Sequence, residues 1–372
     1  MKIKTLGVLL LGIVLTISCK EVPQKAELKD YQNISFEPLS TQVVTKFFNH
    51  QTASQVVAET GYYVWGLSVV KWEGEYHAYY SRWKKEYEHK GWMTNCEIAH
   101  AVAKNPEGPF VFKNVVLESK KVGGWDVNNS HNPYAVVADG KVCLYYIAND
   151  IKELLAKDIP ETQEPTTLWY DAHRTEIRDS QRIGVAIATN PAGPFVRSKH
   201  IVVAPDDVKF KKIAVNPAVI YKDKEYLMIM KGDDLQHKKP FRIQLVGNAK
   251  NPEGPFNFYE KPVYAKAQTE DACMWFDKIL NKHFMVCHVM GKSELALFSS
   301  TNGFDWQPDE RKIFMKKEFL LSNGTIWKPK RVERPFVLTN NDGQPIMIYV
   351  AVYDKNVNGN IAIPISWKSN KN

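Results

Sequence analysis

Five side chains in this 372-residue sequence could exchange protons with a substrate: Asp126, His131, Glu270, Asp271 and Glu333. Acid–base bond cleavage needs one group that gives a proton and another that takes one or attacks. Two carboxyl groups in unlike surroundings supply both roles. Glu270-Asp271 opens an apolar stretch that reads as a strand. Neighbours on a strand face opposite ways, so at least one of the pair points toward whatever the strand lines. Met274 and Trp275 follow closely and offer an apolar wall, which favours a protonated carboxyl and makes Asp271 the best-placed general acid. Asp126 or Glu333 is the expected partner. His131 could shuttle a proton, bind a substrate hydroxyl, join a metal site or serve structure alone. Asp126 also fits a turn after Gly123-Gly124, and Glu333 also fits an ion pair with Arg331 or Arg334. No Gly-rich phosphate loop, HExxH motif or nucleophile elbow is present.

These residues are far apart in sequence, so a repeated framework must gather them. Residues 125–147 hold polar positions, then Asn132-Pro133, an apolar strand, an Asp-Gly turn and a second strand, the pattern of a β-hairpin. The pattern recurs at 64–81, 215–230, 270–289 and 332–352. A second repeat is interleaved: AHAVAKNPEGPF (99–110), GVAIATNPAGPF (184–195), LVGNAKNPEGPF (245–256) and ALFSSTNGFDW (296–306). One unit is therefore four short strands, which is a β-propeller blade, and five hairpins predict an all-β, five-bladed β-propeller.

In such a ring the first strand of each blade lines a central channel. The strand starts would gather Trp65 and Ser68, His131 and Asn132, Asn216, Glu270 and Asp271, and Glu333 and Arg334, with Asp126, Lys231 and Asp233 near the same ends. Trp65 and Trp125, like Trp275, could stack on a ring or pack in the core. Asn132, Asn216, Lys231 and Arg334 could bind polar groups, and Arg182 could do so or pin a loop. The charged, aromatic stretch 83–93 and the insertion at 150–179, carrying Trp169, Tyr170, His173 and Arg174, exceed minimal blade length and are expected to wall the pocket.

The chain opens with Lys2, Lys4 and an apolar run at 6–17 that is too short to span a bilayer, so residues 1–18 read as a secretion signal. Thr16-Ile17-Ser18-Cys19 resembles a bacterial lipobox, which implies lipidation at Cys19 and an exported, membrane-anchored protein, periplasmic or on the cell surface. Residues 19–46 are expected to form a tether, and 47–372 the propeller. Cys96, Cys143, Cys273 and Cys287 show no metal-ligand spacing, and Cys143, Cys273 and Cys287 fall in apolar strands, so buried free thiols are expected, with a Cys273–Cys287 facing pair left open. The formal charge is +8, of which the signal's two lysines carry two, and the remaining lysines are scattered through loops. Without a basic helix or nucleic-acid motif, that charge implies a solvated surface or attraction to an acidic glycan, and not nucleic-acid binding.

Over about residues 60–365 the chain resembles the family 43-like five-bladed propeller glycosidases of polysaccharide-degrading bacteria. The residues that carry the likeness are EIAHAVA (97–103), the three NPxGPF copies, His131-Asn132-Pro133, QRIGVA (181–186), NPAV (216–219), Glu270-Asp271 and Glu333-Arg334-Pro335. The resemblance implies a glycoside hydrolase, exo-acting on a complex, acidic or sulfated polysaccharide fragment. It requires no cofactor and is compatible with a divalent cation, structural or at the active site. Its partners would be an oligosaccharide or polysaccharide and, through the lipid alone, a membrane. One departure is clear: the family's blade-one Asp is absent from VWGLSVV (64–70). Two other readings use the same residue types. A polysaccharide lyase would take His131 as base, Tyr134 or Tyr170 as acid and an arginine to neutralise a uronate. A non-catalytic surface glycan-binding lipoprotein would need no acid at all.

Overall fold

A computed structural model describes residues 31–119, 124–160, 163 and 165–367. The expected secretion signal at 1–18 and Cys19 lie outside the described residues. Among the described residues, five antiparallel sheets form a closed ring, and a sixth, two-stranded sheet pairs Phe319–Leu320 with Ile326–Trp327. Blade one is Tyr62–Trp72, Glu75–Lys84, Glu97–Ala103 and Val111–Leu117; blade two is His131–Ala138, Lys141–Asn149, Gln181–Ala188 and Val196–Arg197. Blade three is Lys211–Lys222, Glu225–Asp233, Arg242–Ala249 and Asn257–Phe258; blade four is Thr269–Asp277, Lys282–Val289, Glu294–Ser300 and Gln307–Lys316. Blade five takes Arg331–Thr339, Pro345–Asp354 and Val357–Trp367 from the chain end. The first strand of each blade packs against the first strand of the next, so these five line the axis.

The chain start closes the ring. Ile34–Phe36 pairs with Val357–Trp367, and Val56–Val57 pairs with Ile361 and Asn360. This covers the free edge of blade five, whose backbone groups would otherwise lack partners. From Tyr31 onward, the stretch expected as a tether is thus part of the propeller. Tyr31 stacks on Phe284 at 4.0 Å, donates to Asp277 Oδ2 at 3.2 Å and accepts from Trp275 Nε1 at 2.8 Å. Ser40 caps the helix Thr41–Phe48, which buries Val43 and Phe47. A three-residue strand is too short to show periodicity, which is why this segment reads as irregular. The same contacts make Trp275 a core residue, 4% exposed, and remove it from any sugar-stacking or acid-walling role.

The NPxGPF repeat has a structural task. Tyr349 donates to the Pro106 carbonyl at 2.7 Å, Tyr79 to Pro191 at 2.7 Å and Tyr145 to Pro252 at 2.9 Å. Each bond runs from the second strand of one blade to the turn of the next. Gly108 and Gly254 hold φ of +91° and +84°, and a Cβ there would lie 2.9 and 3.0 Å from the following aromatic's backbone nitrogen, so only glycine fits the turn. All four described cysteines are free and buried. Cys273 pairs in register with Val286 and not Cys287, so the two do not face each other.

Candidate active site

Each inner strand begins with a bulge. The register shifts at Trp65/Leu67, His131/Tyr134, Val215/Ala218, Glu270/Cys273 and Glu333/Phe336. At all five, one residue has left-handed backbone: Gly66 (φ +64°), Asn132 (+49°), Asn216 (+53°), Asp271 (+59°) and Arg334 (+50°). The bulge breaks strand alternation, so two consecutive side chains reach the axis together. Glu270 and Asp271 both line the cavity, as do His131 with Asn132 and Glu333 with Arg334. Strand alternation guarantees only one of Glu270 and Asp271, and the bulge delivers both.

The bulge residues form a hydrogen-bonded floor. Asn132 Nδ2 donates to Asn216 Oδ1 at 3.0 Å, and Asn216 Nδ2 donates to Asp271 Oδ1 at 2.7 Å. The Arg334 backbone N–H reaches Asp271 Oδ2 at 3.2 Å, and its Nη1 reaches Oδ1 at 3.4 Å. A Cβ on Gly66 would lie 3.4 Å from Arg334 Nε, so the missing blade-one side chain is the space this guanidinium passes. Every contact to the Asp271 carboxylate is a donor. Its surroundings are a polar network and not the apolar wall expected of a general acid.

Above the floor is a cavity of about 650 Å³. The short 3₁₀ turn His89–Met93 supplies His89, Lys90, Trp92 and Met93 to its wall. The insertion in blade two folds into the helices Lys152–Asp158, Thr167–Ala172 and Arg174–Asp179, and the last supplies Arg174, Thr175 and Arg178. Lys90 pairs with Asp171 at 2.5 Å, which ties the two walls together, and Asn129 Nδ2, from the loop that enters blade two, donates to the Trp92 carbonyl at 3.2 Å. Arg178 bridges Asp179 and Asp233, both at 2.7 Å, and anchors the insertion to blade three. Trp65 is half-buried in the wall beside these segments.

Two carboxyl groups in the cavity are held in opposite states. Burial works against charge on Glu270, but Lys231 at 2.8 Å, Arg242 at 3.1 Å and the nearby His288 outweigh it and hold the carboxyl down at about 2. Burial, then the charges of Asp271 and Glu270, push Glu333 up to about 7, against the opposing pull of Arg331 and Lys317. Near neutral pH, Glu270 is a carboxylate and Glu333 carries a proton for much of the time. His131, 1% exposed beneath Trp92, is pushed down to about 3 by burial and by Arg334 and Lys231, so its ring is neutral. Among the described residues, neither of its ring nitrogens has a hydrogen-bond partner.

Other expected site residues lie elsewhere. Asp126 is 1% exposed and held by Arg197 at 2.6 Å and Tyr146 at 2.7 Å, so it is a buried structural carboxylate away from the cavity. Trp125 stacks on Tyr146 behind it. Arg182 spends its guanidinium on the carbonyls of Asp179, Gln181 and Lys212, pinning the insertion's return. Ser68 accepts from the Ala135 backbone, between blades. Tyr134 is buried against Phe336 and Met274, and Tyr170 donates to Asn128, so neither stands in the cavity wall as the lyase reading required. Among the described residues, no three His, Cys, Asp or Glu side chains group to hold a metal ion.

No protein-family model and no curated protein matches the chain. Solved structures do. A family 117 glycoside hydrolase from the marine bacterium Zobellia galactanivorans aligns over 90% of both chains at 13% identity, with a TM-score of 0.60. A thermostable family 43 glycoside hydrolase aligns over 82% of this chain and 89% of its own at 12% identity, with a TM-score of 0.55. The chain shares the five-bladed fold of these hydrolases. At such identities the likeness is one of fold, and the site has to be read from its own residues.

Arg242, Arg178 and Arg331 went unmarked as site residues in the sequence reading, whereas Arg174 was named with the insertion expected to wall the pocket and does line the cavity. Arg242 comes from a third strand, which the expectation of axis-lining first strands passes over. Arg178 was signalled only through the length of its insertion, and Arg331 only as a partner for Glu333.

Proposed function

We propose that the protein is an exo-acting glycoside hydrolase that works on the end of a complex polysaccharide fragment. The carrying observation is the pair Glu333 and Glu270, on adjacent blades of one cavity with opposite protonation states. Glycosidic cleavage needs a protonated carboxyl to give its proton to the leaving oxygen and an ionised one to activate water or attack carbon. Glu333 takes the first role and Glu270 the second. Asp271 passes from candidate acid to positioning residue: it locks the floor and raises the proton affinity of Glu333. His131 and Asn132 offer polar atoms to sugar hydroxyls, and Trp65 offers a ring to a sugar face. A floor across the axis and walls on two sides suit a chain end better than a chain middle. The fold shared with glycoside hydrolases supports the reading.

The test is digestion of a panel of bacterial, algal and plant polysaccharide fragments in ¹⁸O-water. The expected result is release of terminal sugars with one ¹⁸O at the new reducing end. A lyase would instead give products absorbing in the near ultraviolet, and binding without turnover would leave a glycan-binding protein.

We also infer an exported lipoprotein from Thr16-Ile17-Ser18-Cys19. Cys19→Ser is expected to release the protein from the membrane fraction in its native host. Unchanged membrane attachment and processing would remove the anchor.

A further inference from the structure

We propose that Arg174 and Arg331 form an anion subsite at the cavity mouth, which selects fragments whose terminal sugar bears a carboxylate or a sulfate ester. The inference rests on the glycosidase reading for its substrate, and on the charge ledger of the cavity for its chemistry.

Seven Lys or Arg side chains line the cavity, against three carboxyl groups. Five of the seven are matched. Lys231 and Arg242 hold Glu270, Arg334 holds Asp271, Lys90 holds Asp171, and Arg178 holds Asp179 and Asp233. Arg174 and Arg331 have no carboxylate within ion-pair distance among the described residues, and both are exposed. Glu333, the remaining carboxyl, is the proton carrier and does not neutralise them. Two positive charges therefore stand over the pocket without a counter-ion. They come from non-adjacent blades, Arg174 from the insertion of blade two and Arg331 from the start of blade five. Both line the same cavity.

A second observation points to a ligand there. Among the described residues, His131 is buried in the same cavity with both ring nitrogens unpartnered, and Arg334 Nε is likewise buried without a partner. These atoms suit hydroxyls of a sugar seated on the floor. A guanidinium presents a planar fork of donors that matches a carboxylate or a sulfate edge, so a sugar held below would place its acidic substituent against the arginines. Arg331 is close enough to Glu333 for its charge to favour the ionised acid. An anion bound to Arg331 cancels that influence, so the correct substrate helps keep the catalytic proton in place.

The experiment compares wild type, Arg174→Gln and Arg331→Gln on matched fragments. These are uronate-terminated, the methyl ester of that uronate, sulfated and desulfated. Wild type is expected to favour an anionic fragment over its neutral counterpart by about 10²-fold in kcat/KM, and each variant to shrink that ratio about tenfold. In wild type the alkaline limb should lie at higher pH on the anionic fragment than on its neutral counterpart, because the bound anion cancels the charge of Arg331 beside Glu333, and in Arg331→Gln that difference should vanish, which a merely structural arginine would not cause. Preference for the uronate or for the sulfate identifies the source of the charge. Equal cleavage of charged and neutral fragments by wild type overturns the subsite and leaves the glycosidase reading standing. If no fragment is cleaved, the glycosidase reading fails, and calorimetry with glucuronic acid, galactose 6-sulfate and glucose decides the subsite alone. Salt-sensitive binding of an acidic sugar, weakened tenfold in Arg331→Gln, supports it; no preference over glucose overturns it.

Discussion

Glu333→Gln is expected to lower kcat by about 10²–10⁴-fold on fragments with ordinary sugar leaving groups, the scale of a lost general acid. On an aryl glycoside whose phenolate leaves without a proton, the loss should be far smaller. The wild-type rate should fall as pH rises through about 7, where Glu333 loses its proton, and the variant should lack that limb. The same shift has a consequence for stability. The folded-state value lies above the ordinary 4.5, so the contribution is fully present below 4.5 and is lost as pH rises through about 7. At pH 8 a buried charge then works against the fold, and Glu333→Gln should be more stable than wild type by about 1–3 kcal/mol. An activity loss with a stability gain is the signature of a strained catalytic group. A variant that retains its activity on poor leaving groups would remove Glu333 from the mechanism.

Glu270→Gln should lose both activity and stability. Lys231 and Arg242 would keep their charges with no carboxylate between them. Breaking a fully buried pair from one side costs about 3–5 kcal/mol, and because Arg242 is 39% exposed, solvent reduces the loss here to about 1–3 kcal/mol. The sign with pH is opposite to that of Glu333. The folded value is depressed, so the stabilisation is present above 4.5 and is lost as pH falls through about 2. Acid titration of wild type should show that loss, and the variant should not. The rate should drop by about 10³-fold or more, from loss of the ionised partner. In Glu270→Gly, added azide that restores turnover and yields a glycosyl azide would mark Glu270 as the nucleophile; restored turnover without that product would mark it as the base. A Glu270 variant with wild-type rate and stability would contradict both roles.

The fold was legible because its repeats are local. Five hairpins and three NPxGPF turns are each a few residues long, and the turn's glycine and proline carbonyl serve the same inter-blade bond every time. The two cavity walls were legible as excess loop length. Ring closure by Ile34–Phe36 was not, because its partner lies at the far end of the chain and three residues carry no period. The site was legible in position and not in role. Glu270-Asp271 and Glu333-Arg334 stand where the repeat puts them, but their electrostatics come from neighbours with no sequence signature. Arg242, from another strand of blade three, helps decide that Glu270 is ionised, and Asp271, a blade away, helps decide that Glu333 is not. Asp126 misled because proximity to the strand start in sequence says nothing of Arg197, 71 residues on, which claims its carboxylate.

The central claim is that Glu333 holds its proton near neutrality while Glu270 beside it does not. Infrared difference spectra of wild type minus Glu333→Gln, recorded across pH, read that proton directly and need no substrate. The expected result is a protonated-carboxyl C=O band that persists at pH 6 and disappears with a midpoint near 7. A band already gone by pH 5.5, with a midpoint near the ordinary 4.5, would contradict it.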